Sequence, residues 1–159
     1  MRKSARRTPR PVSAGAFNRV LTAGQPLDDA QVLDITLHAR IAFQAMRSGK
    51  SNEENWVTVA TALNMACVLC AIGVGAEYRA DLIPALEACW RVKMRAARTG
   101  SWAFDGAGMQ AVAFGLELHD EQVKVANCKQ IRFAIDEIRR LVLADEVYKD
   151  VEHLIEVAE

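Results

Sequence analysis

The sequence predicts an all-α fold: an antiparallel helical bundle of about five long helices around a central apolar helix, led by a disordered basic N-terminal arm. Three observations predict it. Residues 56–76, WVTVATALNMACVLCAIGVGA, run for 21 positions without a formal charge. On both sides of that run, apolar residues recur at spacings of three and four, the period of a helix with one covered face. No segment alternates apolar and polar residues for long enough to name a strand.

The uncharged run is long enough to cross a bilayer. Thr58, Thr61 and Asn64 interrupt it, Gly73 and Gly75 lie in its last third, and its flanks are Glu53, Glu54 and Glu77 rather than basic anchors. Those features place it in a protein interior, and no membrane association is expected. Trp56, Val59, Leu63, Cys67 and Cys70 form one stripe, while Val57, Val68 and Ile72 take other faces. A helix apolar nearly all round is a central helix. Ser51 with Glu54 has the form of a capping box at its start, and Gly73 and Gly75 mark its end.

The other elements follow in order. Residues 1–12 carry clustered positive charge with Pro9 and Pro11, and are expected to be a disordered arm; residues 13–159 are expected to form a single helical domain. Phe17, Val20 and Leu21 suggest a short helical turn within 14–23, broken by Gly24, Gln25 and Pro26. A first long helix is predicted over 28–47, with Val32, Ile35, Ala39, Ala42, Phe43 and Met46 as its stripe, and Asp34 and His38 as a surface pair. After the central helix, 77–98 reads as a third, with Leu82, Leu86, Trp90 and Met94 as an i+4 ladder and Pro84 in its first turn or kinking it.

A glycine-rich connection, TGSWAFDGAG over 99–108, carries Trp102 and Phe104, either as interface anchors on a mobile loop or tucked back onto the bundle as a hydrophobic staple before Asp105 caps the next helix. The fourth helix, 106–126, uses Met109, Val112, Leu116 and Val123 on one face and Phe114, Leu118 and Val125 on another. Asn127 with Gln130 forms a capping box for the fifth helix, whose core positions are Ile131, Ala134, Ile135, Ile138, Leu141 and Val142. Arg132 with Asp136 and Asp136 with Arg140 are its expected surface pairs. Beyond Ala144 the stripe rotates to Val147, Val151, Leu154, Ile155 and Ala158: either the chain breaks at Asp145, or a continuous helix faces a different partner there, which would favour self-association.

At 159 residues, 51% hydrophobic and 6% aromatic, the chain fits one globular core. Lys plus Arg and Asp plus Glu both total 20, so no overall field favours nucleic acid or membrane. The distribution is lopsided, however. Residues 1–20 hold six basic side chains and no acid, whereas 111–159 hold eleven acids against six bases. The first ten residues contain only Met1 and Ala5 among hydrophobic types, unlike a secretory signal, and the expected location is cytoplasmic.

Several constellations bear on chemistry. Cys67 and Cys70 share a helix face, but no second paired set of Cys or His completes a zinc site. A redox CxxC sits at a helix N-terminus, and this one falls deep inside a helix. With Cys89 and Cys128, these read as packing residues of a chain without a disulfide framework. His119 and Asp120 read as a polar cluster at a helix end rather than an acid–base pair. No GxSxG, HExxH, Walker or kinase pattern is present, and no cofactor is implied.

The reading is therefore of a non-enzymatic accessory or regulatory protein, although the absence of a motif leaves the question of an enzyme open. It would act by binding a macromolecular partner, protein first, with homodimerisation as one form of that. Trp102, Phe104, Val147, Val151 and Leu154 are the candidate anchors. Nucleic-acid binding is the alternative, through Arg2, Lys3, Arg6, Arg7 and Arg10 of the arm and the strip Arg91, Arg95 and Arg98, which otherwise opposes the helix dipole and pairs with Glu87. Within the fifth helix, Asp136 and Glu137 would repel phosphates from Lys129, Arg132, Arg139 and Arg140. A cysteine-based metal or redox protein is the third reading.

Overall fold

The computed structural model describes residues 24–143, and there the chain is all helical. Among these residues the helices are α1 (Asp29–Arg47), α2 (Glu53–Ala71), α3 (Ile83–Thr99), α4 (Gly106–Val125) and α5 (Cys128–Leu143). The basic arm, the turn expected around Phe17, and the stripe of Val147, Val151 and Leu154 lie outside the described residues.

The uncharged run folds as expected into the central element. α2 touches each of the other four helices, and every residue from 62 to 70 is buried. No described helix is long and apolar enough to cross a membrane. Asn64, a polar residue within this buried stretch, donates its amide to the Ala60 carbonyl at 2.8 Å. One cluster of core side chains joins α1, α3 and α4 to α2 around Phe43, Leu63, Cys89 and Leu116. A second joins the C-terminal half of α2 to α5 through Leu69, Val123, Ile131 and Ile138.

The start of α2 differs from expectation by one residue. Asn52, not Ser51, caps it: its side chain accepts from the Asn55 backbone at 3.0 Å, and the Asn55 side chain accepts from the Asn52 backbone at 3.2 Å. Two amides make the reciprocal bonds here, and the Ser51 hydroxyl is used elsewhere, donating to the Trp102 carbonyl at 2.7 Å. At the other end, Val74 N–H donates to Leu69 O at 2.9 Å and Gly73 N–H to Cys70 O at 3.0 Å. Gly73 holds a φ of 91°, so this is a Schellman turn that needs glycine.

The third helix is shorter than predicted. Two 3-10 turns, Ala76–Tyr78 and Ala80–Leu82, precede it, and Pro84 sits in the first turn of α3 where its missing N–H costs nothing. The i+4 ladder also fails. Leu82 and Leu86 are buried, but Trp90 and Met94 are 41% and 48% exposed, and the covered face is Ala85, Ala88, Cys89, Val92 and Ala96. A helix turns about 100° per residue, so each i+4 step drifts about 40° and the ladder winds off the core. Phe114, Val125, Ile135 and Val142 are exposed as well.

The Asp105 and Asn127 caps are formed, and Asp28 supplies a further one at the start of α1. Asp28 and Gln31 make a box, Asp105 accepts from Gly108 N at 2.6 Å, and Asn127 and Gln130 exchange bonds of 2.9 Å. On α5 the surface pairs are shifted to i,i+3: Arg139 with Asp136, and Arg140 with Glu137. His38 bonds the Asp34 backbone carbonyl at 2.9 Å rather than its carboxylate.

Close packing of α4 against α2 and α3 rests on Gly115. A Cβ there would lie 2.5 Å from Leu63 Cδ2 and 3.3 Å from the Ala85 methyl. Gly115→Val should lower the urea midpoint, with a loss of about 2 kcal/mol from overpacking. A midpoint unchanged or raised would show that the α2–α4 seam has slack.

Candidate functional site

The loop after α3 is a clasp. Arg95 donates to the Ala103 carbonyl at 2.6 Å, Ser51 holds Trp102 O, and the Asp105 carboxylate lies 3.6 Å from Arg91 Nε and 3.9 Å from an Arg95 terminal nitrogen. Phe104 is buried, its ring 6.1 Å from that of Phe43, and Trp102 is half-buried with its ring 5.5 Å from Trp56. Of the two placements open to these rings, Phe104 takes the inward one and is a core side chain. Arg91 and Arg95 turn to Asp105 instead of Glu87, and Arg98 is exposed. The loop is thus tied at Trp102 to the segment before α2 and at Ala103 and Asp105 to α3.

The thiols are placed for packing. Burial pushes the Cys67 thiol up to about 12, with Cys70 adding to the rise and Arg79 opposing it. Burial alone carries Cys89 up to about 12. Cys70 is also raised by burial, against the lowering effect of a hydrogen bond from Gln122, and its S–H donates to Gly75 O at 3.0 Å. Such thiols are protonated at neutral pH and are weak nucleophiles and ligands. Among the described residues no three His, Cys, Asp or Glu side chains are grouped to hold a metal ion.

The polar residues that matter most for α4 are on its inner face. Gln122 is 2% exposed, and its amide donates to Val74 O at 2.7 Å and Ala66 O at 3.1 Å. It thereby ties α4 to the end of α2 and to the glycine turn. His119 is 1% exposed and lies within α4, which corrects the expectation of a helix-end cluster. Its Nδ1 is 3.4 Å from Asp120 Oδ1, where an N–H can donate to the carboxylate. Asp120 in turn accepts from Arg40 of α1, at 2.8 Å from Nε and 2.7 Å from a terminal nitrogen. A network from α1 into the α4 interior was not visible in the sequence, where Arg40 and Asp120 are 80 positions apart.

Outside this network, α1 presents an apolar row. Leu33, Leu37 and Ile41 are 59%, 44% and 58% exposed at i+4 spacing. Leu33 also lines an open groove of about 360 Å³ with Leu27, Asp29, Val32, Thr36 and Lys124. Lys124 is paired with Glu121 at 2.5 Å. A row of three beside a groove is a contiguous patch rather than scattered exposure. The core stripe of α1 is complete without these residues, so nothing local in the sequence marks them as surface.

The Asp120 pair supplies a pH test. Burial works to raise its carboxyl, but the His119 ring and the Arg40 guanidinium outweigh that and hold it below the ordinary value. A depressed folded pKa contributes stability that is full above the unfolded value of about 4 and is lost as pH falls through the folded value. Asp120→Asn should therefore cost about 1 kcal/mol at pH 7, a figure reduced for solvent screening at Arg40. Denaturant unfolding of both proteins should show that gap shrinking as pH falls below about 4. A gap constant with pH would mean the pair is not what the carboxylate loses.

No protein-family model, curated protein or solved structure matches this chain, so the functional reading rests on the geometry above.

Proposed function

We propose that the protein is a non-enzymatic helical accessory protein that binds a protein partner through the outer face of α1. The observation that carries this reading is the row Leu33, Leu37 and Ile41 with its adjoining groove. Folding does not require these side chains to be apolar, since Ala39, Ala42, Phe43 and Met46 already supply the buried face. Apolar anchors at helical spacing beside a groove suit a partner helix laid alongside α1.

The aromatic residues of the 99–108 loop support partner binding less well, because Phe104 is buried and the backbone at Trp102 and Ala103 is tied down. The arginine strip likewise offers little to an anionic partner, as Asp105 lies beside Arg91 and Arg95.

Affinity capture from extracts of the source cells, using the full chain and Leu37→Asp in parallel, tests the proposal. Leu37 is exposed, and a surface change of this kind should alter stability by no more than about 0.5 kcal/mol. A partner retained by the wild type should bind the variant about tenfold more weakly, with helicity unchanged. Equal capture by both proteins would move the binding surface elsewhere.

A further inference from the structure

We propose that the α1 groove is the seat of the chain's own residues 17–21, which occupy it until a partner displaces them. The geometry of attachment carries this. Chain direction brings residue 24 into the described structure beside the groove. There the Cys128 N–H donates to Gln25 O at 2.9 Å, and Pro26 pairs with Asn127. Leu27, two residues on from Gln25, is part of the groove wall. Leu21 therefore lies six residues from that wall, and such a link spans at most about 20 Å. A tether this short gives an effective concentration on the order of millimolar. Contacts too weak to hold a second copy are then strong enough to hold the segment.

The side chains match the surface. Phe17, Val20 and Leu21 recur at i, i+3 and i+4, which would align them as one apolar edge against Leu33 and Leu37. Arg19 stands among them, and residues 1–20 carry no acid. Asp29 and Lys124 both line the groove, Lys124 being paired with Glu121, and Asp34 is exposed on the next turn of α1. The acidic and apolar features of α1 thus fit a short segment that is apolar on one edge and basic beside it. The three exposed side chains of the row are too few for the area of about 800 Å² per partner that a stable dimer buries, which favours the tethered segment over a second copy.

The docking stands on the tether and the match; its regulatory consequence, that a partner competes with residues 17–21, rests on the partner-binding reading above. Hydrogen exchange of the full-length protein separates them. Amides of 17–21 should exchange at least about tenfold more slowly than an unstructured reference, and should lose that protection in Leu33→Asp/Leu37→Asp. The protection should also be unchanged on tenfold dilution. Free exchange of 17–21 in the wild type would overturn the proposal. So would protection that survives the double substitution, or that disappears on dilution, the latter assigning the groove to a second copy.

Phe17→Asp/Leu21→Asp in the full chain completes the test. It should bind a captured partner several-fold more tightly than the wild type. Protection with no partner found in either protein would leave the docking standing and remove the partner reading. A partner lost in Leu37→Asp, with 17–21 exchanging freely, would do the reverse.

Discussion

Everything in the described structure depends on the near-complete burial of α2. A helix covered along nine consecutive positions leaves no side available for charged residues, so its polar demands fall on its ends and on its neighbours. Fully burying a leucine contributes about 2 kcal/mol, and Leu63 and Leu69 are both at 0% exposure. The same burial makes each unmet backbone group costly, because water cannot reach it. The glycine turn at 73 and the Gln122 amide answer that demand at the buried end of α2, whereas the Asn52–Asn55 box closes an end that water reaches.

Those answers determine how the neighbours pack. Gln122 reaches Val74 and Ala66 only if α4 runs close to the end of α2, and Gly115 permits that approach. Having come close, α4 places His119 in the interior, and Asp120 beside it meets Arg40 at 18% side-chain exposure. The carboxylate is the shielded member of the pair and the Arg40 side chain the more open one at 36%, so the pair gains more than a fully exposed one and less than a buried one. The link between α1 and α4 is thus a consequence of the central helix and not an independent feature.

The sequence made the helices legible because burial and capping are local signals. An uncharged run, a proline at the first turn of α3 and the Asp105 and Asn127 caps each point to an element from within a few residues. What it hid were relationships between elements. The ladder of Leu82, Leu86, Trp90 and Met94 looked like a face because four residues is near a turn, yet the drift of each step carries its second half into solvent. Ser51 looked like a cap because its hydroxyl fits one, and the competing Trp102 carbonyl is 51 positions away. Arg91 and Arg95 looked like an open basic strip because Asp105 belongs to the loop that folds back over them.

The row on α1 was obscured for a related reason. A sequence pattern identifies a core by finding one apolar stripe, and a second stripe on the same helix reads as extra core rather than as surface. Only the packing separates them: Ala39, Ala42, Phe43 and Met46 face α2 and α4, and Leu33, Leu37 and Ile41 face away. A helix whose core face is already complete has no folding use for a second stripe, and exposing it carries a hydration cost and a risk of association. Covering that face would return this cost, and a segment tethered six residues from the groove meets the smallest entropic penalty in doing so.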